Sequence, residues 1–162
     1  MGLRVVVAAD IAGYDYKEAI KKDLEADERV DEVIDVGVGA KEDIDYPHVS
    51  VKGAKIIAAG DADRGVFICG TGMGMAIAAN KVKGIRASTA HDSFSAERLV
   101  LSNNGQVLCM GQRVIGVELA RRLAKEFLGY AFDTTSHSAP KVAALDAYDE
   151  RQDADEVVSS CE

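Results

Sequence analysis

Short apolar runs rich in valine and isoleucine alternate along this chain with longer segments of helical periodicity. This alternation constrains the fold because strands separated by helices form βαβ units, whose sheet is mainly parallel and covered by helices on both faces. We therefore predict an α/β protein with a five-stranded, mainly parallel sheet. The length of 162 residues suits one domain, which we place at 1–150, and the acidic segment 151–162 is expected to be a flexible tail.

The predicted strands are Leu3 to Ala9, Val30 to Val36, Gly65 to Cys69, Ile85 to Thr89 and Gln106 to Met110. The predicted helices are Tyr14 to Ala26, Pro47 to Ala59, the segment after Gly74 through Asn80, Ser93 to Ser102, Gly116 to Phe127 and Ala139 to Tyr148. Ligands of such sheets bind beyond the carboxyl ends of the strands. Asp10 and Cys69 stand at two of these ends, so they meet across one crevice if the first and third strands are neighbours.

Composition argues against several classes of function. The chain has 19 basic and 27 acidic residues and a net charge of −8, which disfavours a nucleic-acid-binding protein but leaves room for a small anionic ligand. No apolar run has the length of about 18 residues that a membrane span needs, and no signal-peptide pattern is present. Three cysteines without a CxxC pair argue against disulfides and zinc and indicate a cytoplasmic protein. The three histidines lack the spacing of metal ligands, so we predict no metal site.

The most informative segment is the run Cys69, Gly70, Thr71, Gly72, Met73 and Gly74. Three glycines in five residues allow a tight turn and a close approach of the backbone to a ligand. The helix that follows presents free N–H groups and the positive end of its dipole, which suits a phosphate or a developing oxyanion. The segment is neither a Walker A motif nor the G-x-G-x-x-G dinucleotide motif, so the glycines alone identify no ligand.

Cysteines and one carboxylate are candidates for catalysis. Cys69 is a candidate nucleophile or base because a helix N-terminus stabilises a thiolate, and the alternative is a buried core residue. Cys109 is expected to pack in the core, and Cys161 in the tail is expected to be inert. Asp10 ends an apolar strand, where it either binds a substrate hydroxyl or caps the helix that begins near Tyr14.

Several polar residues are candidate ligand contacts with equally ordinary alternatives. Asn103 either binds a hydroxyl group or belongs to the Asn-Asn-Gly turn, and His91 is either a ligand contact or part of a loop. The candidate phosphate ligands are Arg113, His137 and Lys141, which could equally be surface charges. His137 and Lys141 are four residues apart, so one face of a helix start could present both.

Four motifs together make the chain resemble a known family. They are Asp45-Tyr46-Pro47-His48, the Cys69 to Gly74 segment, Ala78-Ala79-Asn80-Lys81 and Gly84-Ile85-Arg86. From Leu3 to Tyr148 the chain resembles the type-B ribose 5-phosphate isomerases, a family that includes the galactose 6-phosphate isomerase subunits. The resemblance implies a Rossmann-like three-layer α/β/α sandwich and a dimer or tetramer with active sites at the subunit interface. It also implies aldose–ketose isomerisation of a small phosphorylated sugar through an enediolate, without a metal or organic cofactor.

The resemblance assigns roles to individual residues. Cys69 matches the thiol base, and Met75 stands where another branch of the family has a glutamate base. Thr71 and the N–H groups of Gly70, Gly72, Met73 and Gly74 match the enediolate-stabilising set. The substrate contacts are matched by Asp10, Tyr46 and Asn103, with Arg113 as a phosphate ligand contributed across the subunit interface.

The departures from the family pattern bear on the substrate. Ile11 and Ser102 stand where the family has histidines, and the histidine at the second position opens the sugar ring. His137 and Lys141 replace two phosphate-binding arginines. A tetrose 4-phosphate needs no ring opening, and the segments Thr89 to Arg98 and Leu101 to Asn104 resemble a subgroup that acts on erythrulose 4-phosphate. The alternatives are a ribose 5-phosphate isomerase in which His91 opens the ring, and a non-catalytic phosphosugar-binding module.

Overall fold

A computed structural model describes residues 2–149; the predicted tail 151–162 and Cys161 lie outside the described residues. The strands are β1 (Leu3–Ala9), β2 (Val30–Asp35), β3 (Arg64–Cys69), β4 (Ala87–Thr89) and β5 (Val107–Gly111). They form a parallel sheet in the order β2-β1-β3-β5-β4. The prediction of a five-stranded parallel sheet is confirmed.

The strand β4 is shorter than the predicted Ile85 to Thr89, for a local reason. The N–H of Ile85 donates to the Val82 carbonyl, and the N–H of Arg86 donates to the side chain of Gln106 at 2.8 Å. Both amides are therefore engaged before the ladder with β5 begins at Ala87. The side chain of Gln106, the residue directly before β5, thus sets the residue at which β4 begins.

Six helices in the described part of the chain cover the sheet: α1 (Tyr14–Glu25), α2 (Tyr46–Ala58), α3 (Met73–Ala79), α4 (Ser93–Leu101), α5 (Val117–Leu128) and α6 (Ala139–Asp149). Pro47 lies in the first turn of α2, where its missing N–H costs nothing. A 3₁₀ turn, Ile11–Gly13, joins β1 to α1. Within residues 2–149, no helix is long and apolar enough to cross a membrane.

The core lies on both faces of the sheet, as βαβ geometry requires. Alternate residues of β1 point to opposite sides: Val5 and Val7 pack with α1, α4 and α5, whereas Val6 and Ala8 pack with α2 and α3. Cys109 is fully buried on the second side, which confirms its predicted place in the core. Because β1 pairs directly with β3, the carboxyl ends that carry Asp10 and Cys69 are adjacent.

Candidate active site

A cavity of about 310 Å³ opens beyond the carboxyl ends of β1 and β3. It is lined by Asp10, Ala12, Tyr46, Cys69, Gly70, Thr71, Gly74 and Arg113. The sheet order therefore brings together residues that are far apart in the sequence, at the edge where parallel sheets bind ligands.

The loop after β3 directs a backbone amide at the cysteine sulfur. Gly72 has φ of +80°, and a Cβ there would lie 2.9 Å from the backbone of Met110, so only glycine fits. In this conformation the Gly72 N–H donates to the Cys69 Sγ at 3.1 Å. Cys69 is only 5% exposed and still lines the cavity, so the thiol is buried but is accessible to a ligand in the cavity. A hydrogen bond from an N–H group is stronger to a charged acceptor than to a neutral one, so this donor suits a sulfur that carries charge during a reaction.

The same hydrogen bonds narrow the set of donors that face a substrate. The N–H of Gly72 is directed at sulfur, and the N–H of Met73 donates to the Thr71 Oγ1 at 3.4 Å. The side chain of Met73 is 58% exposed and does not line the cavity. A hydroxyl can accept one hydrogen bond and donate another, and Thr71 lines the cavity, so its O–H group can donate to a ligand there.

Asp10 is held at the cavity without a partner for one oxygen. Its Oδ1 is buried and accepts no hydrogen bond within the described residues. Burial raises the pKa of Asp10 above its usual value, although the amides of Ala12 and Gly13 and the charge of Arg113 oppose the rise. Asp10 precedes a 3₁₀ turn and makes no side-chain cap, so the alternative that it caps the helix beginning near Tyr14 is wrong.

Tyr46 forms one wall of the cavity by packing its ring on Gly74. A Cβ at position 74 would lie 2.5 Å from the Tyr46 Cε2, so any side chain there displaces the ring. The tyrosine begins α2 and is 41% exposed, which leaves part of the ring open to a ligand. A glycine is therefore needed at position 74 to leave room for the Tyr46 ring, which shapes the cavity, and not to allow a turn of the loop.

Arg113 reaches the cavity from its own chain. Its N–H donates to the Gly70 carbonyl at 3.0 Å, and its Cδ lies 3.4 Å from the position of a Cβ at Gly70. The expectation that this arginine enters across a subunit interface is therefore wrong for this cavity. The reason is the backbone pairing of the two loops, which continues beyond the ends of β3 and β5.

The remaining predicted ligands do not line this cavity. Ser102 directly follows α4. Asn103 borders a separate cavity of about 490 Å³, and its side-chain amide donates to the Arg98 carbonyl at 3.2 Å. His137 and Lys141 are both exposed. The helix α6 begins at Ala139, so Lys141 lies in its first turn and His137 lies two residues before the helix.

His91 is held by the protein backbone. Its Nε2 accepts the N–H of Gly111 at 2.9 Å, and burial lowers the pKa of the imidazole. A neutral ring is required for this acceptor role. His91 therefore fixes the end of β5 beside Cys69, and it does not line the cavity.

The sequence interpretation missed two residues near the cavity. Ala12 lines it directly, and its position two residues after Asp10 was the available signal. Gln112 stands between Gly111 and Arg113, and its side chain contacts the start of α1. No local pattern marks that contact, because Gln112 and Tyr16 are 96 residues apart.

Comparisons with known proteins agree with the fold. Residues 5–145 match the family described as Ribose/Galactose Isomerase. The chain is 61% identical over 150 residues to D-erythrulose-4-phosphate isomerase 2 of Mycolicibacterium smegmatis, covering 92% of this chain and 99% of that protein. It is 38% identical over 149 residues to ribose-5-phosphate isomerase B of Escherichia coli, covering 92% and 98%. The solved structure of Clostridium thermocellum ribose-5-phosphate isomerase B superimposes with a TM-score of 0.86 at 34% identity, covering 92% and 99%.

Proposed function

Because this chain belongs to the ribose/galactose isomerase family and is an aldose–ketose sugar-phosphate isomerase, we propose that it interconverts D-erythrulose 4-phosphate and D-erythrose 4-phosphate. The observation that carries the substrate is the cavity, whose lining by its own chain contains no histidine among residues 2–149. The histidine that the proposal adds from a partner subunit, His137, is assigned to the phosphate and not to the sugar ring. A tetrose phosphorylated on O4 cannot close a furanose ring, so its isomerase needs no ring-opening group. The relative that is 61% identical is named for the same sugar phosphate.

The geometry supports a proton transfer with Cys69 as the base. In the forward direction the thiolate removes the C1 proton of the ketose and returns a proton to C2, and a proton moves from one substrate oxygen to the other. The Gly72 N–H stabilises the thiolate at 3.1 Å, and the Thr71 hydroxyl donates to the enediolate oxygen. Asp10, with its unpartnered oxygen, accepts a substrate hydroxyl, and Arg113 binds the phosphate.

Ribose 5-phosphate is the competing substrate, because ribose-5-phosphate isomerase B of Escherichia coli is also a relative, at 38% identity. That reaction requires a group to open the sugar ring. Ile11 and Ser102 carry no titratable side chain, and His91 gives its Nε2 to the Gly111 amide. These three observations favour the tetrose.

The site is proposed to be completed by a second subunit, in a dimer or tetramer. Asn103, His137 and Lys141 lie outside the cavity of their own chain, so in this arrangement they contact the substrate bound by a partner. Two exposed apolar side chains on α3, Met73 at 58% and Ile77 at 63%, are four residues apart and lie beside the cavity loop. An exposed pair of this kind favours a protein contact there.

A substrate panel tests the tetrose assignment. We expect kcat/KM for D-erythrulose 4-phosphate to exceed that for ribose 5-phosphate by about a hundredfold or more, and Cys69→Ala to abolish both activities. Ser102→His together with Ile11→His is expected to raise turnover of ribose 5-phosphate. A preference of the wild-type enzyme for ribose 5-phosphate would contradict the tetrose assignment. Binding of both sugar phosphates without turnover would indicate the non-catalytic phosphosugar-binding module.

Mixing two inactive variants tests the shared site. Cys69→Ala removes the base, and Lys141→Ala removes a phosphate ligand that the proposal assigns to the partner. Refolding or exchange of the two together is expected to form hybrid dimers in which one site regains both groups, so that activity returns. No recovery in a mixture that demonstrably exchanges subunits would contradict a site shared between chains.

The cysteines support a reducing, cytoplasmic setting for the protein. Cys69 and Cys109 are free thiols in the described part of the chain, and the sequence has no CxxC pair.

A further inference from the structure

Gln112 occupies the junction between the two strand ends that form the cavity. Its own N–H donates to the Cys69 carbonyl at 2.9 Å, and the next N–H, of Arg113, donates to the Gly70 carbonyl at 3.0 Å. The backbone at position 112 is therefore fixed to the strand that carries the cysteine. Gln112 itself does not line the cavity, so any influence on the substrate is exerted through its neighbours.

The side chain of Gln112 extends to the first turn of α1. Its Oε1 accepts the N–H of Tyr16 at 3.2 Å, and its Nε2 donates to the Asp15 Oδ2 at 3.2 Å. The first-turn amides of a helix have no partner within the helix. Gly13 precedes α1 and offers no capping side chain, so Gln112 supplies the missing cap from a distant loop.

A second hydrogen bond ties the same loop to the same helix. The Tyr16 hydroxyl donates to the Ile115 carbonyl at 2.7 Å. The loop that contains Arg113 is thus joined to α1 on both sides of the arginine, at Gln112 and at Ile115. This double attachment restricts the backbone that carries the guanidinium.

The helix α1 follows the turn that supplies the opposite wall of the cavity. Asp10 and Ala12 line the cavity, and α1 begins two residues after Ala12. A displacement between the loop and α1 therefore changes the separation of Arg113 from Asp10. The distance between these two groups has to match the distance between the phosphate and the hydroxyl of the sugar.

We propose that Gln112 is a positioning residue, which sets the place of Arg113 relative to Asp10 by capping α1. This inference rests on the proposed function, in which Arg113 binds the phosphate. The expected consequence is an effect on binding of the phosphate group, because the cysteine and its amide donor are held by other bonds.

The test compares Gln112→Ala, Arg113→Ala and the double variant, with the sugar phosphate that has the highest kcat/KM and with inorganic phosphate as a competitive inhibitor. Gln112→Ala is expected to raise KM and the phosphate inhibition constant together by about fivefold, the equivalent of one hydrogen bond, and to change kcat by less than about twofold. In the Arg113→Ala background the same substitution is expected to add less than about twofold, because its effect acts through the arginine.

A matched control separates positioning from stability. Asp23→Ala removes the pair in which Arg121 donates to Asp23 at 2.7 and 2.8 Å, a contact that joins α1 to α5 away from the cavity. This variant is expected to lower the melting temperature and leave KM and the phosphate inhibition constant unchanged. An unchanged KM in Gln112→Ala, with a melting temperature lowered as in the control, would overturn the proposal.

A paired substitution keeps the test decisive if Gln112→Ala does not fold. Gln112→Glu retains the acceptor for the Tyr16 N–H but faces the Asp15 carboxylate, so KM is expected to rise. Adding Asp15→Asn provides an amide that donates to the new carboxylate, and KM is expected to return to within about twofold of wild type. Failure of this rescue overturns the proposal.

Failure of the phosphate-binding role of Arg113 and failure of the positioning role of Gln112 give different results. If Arg113→Ala leaves KM and the phosphate inhibition constant unchanged, the phosphate-binding role in the proposed function is wrong, and the role of Gln112 falls with it. If Arg113→Ala raises both constants and Gln112→Ala raises neither, only the role of Gln112 is wrong.

Discussion

The two ends of the same two strands differ in how their polar groups are satisfied. At the carboxyl ends of β1 and β3, Asp10 has an unpartnered buried oxygen, and Cys69 has one backbone donor at its sulfur. At the amino ends, Arg4 donates to Asp63 through its backbone N–H, Nε and Nη2 at 2.8 to 3.2 Å. Arg64 donates to the carbonyls of Gly105 and Tyr130.

The volume of a cavity does not distinguish the end that binds a ligand from the other end, but the pairing of its polar groups does. A depression of about 740 Å³ lies at the amino ends, bordered by Arg4, Asp31 and Asp63, and is larger than the cavity of about 310 Å³ at Cys69. In the larger one Arg4 and Asp63 already satisfy each other, and Asp31 accepts the Gly2 N–H at 2.6 Å. Polar groups that lack partners at one end are available to a substrate, whereas paired groups at the other end support the fold.

The largest effect that this contrast predicts is at Cys69. Cys69→Ala is expected to lower kcat/KM by about a thousandfold, because it removes the proposed base. Cys109→Ala is the matched control, since it removes another thiol from the same side of the core. It is expected to keep activity within about threefold. Steady-state kinetics of the two variants measures the difference. Retention of more than about a tenth of wild-type turnover by Cys69→Ala would show that the cysteine is not the base.

Asp10→Asn is expected to have the next largest effect, with opposite signs for activity and stability. Loss of the charged acceptor is expected to lower kcat/KM by about fiftyfold. Because burial raises the pKa of Asp10 in the folded chain, the folded state binds the proton more tightly, and ionisation of this group lowers stability as pH rises through that range. The variant is therefore expected to melt about 1–2 °C higher than wild type at pH 7.

Calorimetry at two pH values checks the sign. Toward about pH 2, well below the usual pKa of an aspartate, the carboxyl is protonated in both folded and unfolded chains, so the advantage of Asp10→Asn is expected to disappear. A variant that is less stable than wild type at pH 7 would show that the Asp10 charge has a partner in the folded protein.

Much of this contrast could be anticipated from the sequence. Alternation of strands and helices predicted the parallel sheet. The rule for strand ends predicted that Asp10 and Cys69 meet if the first and third strands are neighbours, and β1 and β3 are neighbours. Both predictions succeed because they depend on local periodicity and on a topology that few alternatives satisfy. The burial of Cys109 in the middle of an apolar strand was predictable for the same reason.

The contacts between distant loops could not be anticipated. Arg113 was expected from a partner subunit, but hydrogen bonds from its loop to the Cys69 and Gly70 carbonyls hold it in its own cavity. The start of β4 depends on the side chain of Gln106, and the cap of α1 on that of Gln112. Such bonds join residues whose spacing in the sequence carries no signal. In the proposed shared site, the roles of Asn103, His137 and Lys141 depend in addition on a second chain.

At the amino ends, Arg64→Met is expected to change stability and leave catalysis intact. The substitution removes the donors to the Gly105 and Tyr130 carbonyls and the guanidinium that lies 5.2 Å from the Phe127 ring centroid. We expect a loss of about 2 kcal/mol in the free energy of unfolding, equivalent to about thirtyfold in the equilibrium constant. Urea denaturation measures this loss, and kcat/KM at 25 °C is expected to stay within about twofold of wild type. A fall in activity without a fall in stability would contradict the division between the two ends.

The smallest expected effect, at Asp63, gives the clearest test of the contrast because its sign is opposite to that of Asp10. The Arg4 guanidinium lowers the pKa of Asp63, so the ionised carboxyl stabilises the folded chain above its usual pKa and loses that contribution as pH falls through the lowered value. Asp63→Asn is therefore expected to melt about 1–2 °C below wild type at pH 7, a small change because the pair is exposed to solvent. The difference is expected to vanish only below that lowered pKa, where Asp63 is protonated in both the folded and the unfolded chain. The same substitution at Asp10 and at Asp63 is then expected to change the melting temperature in opposite directions. Removing the charge stabilises the folded chain at Asp10, where one buried oxygen has no partner within the described residues, and destabilises it at Asp63, which is paired with Arg4. If both substitutions moved the melting temperature in the same direction at pH 7, the pairing of polar groups would not distinguish the end that binds substrate from the end that supports the fold.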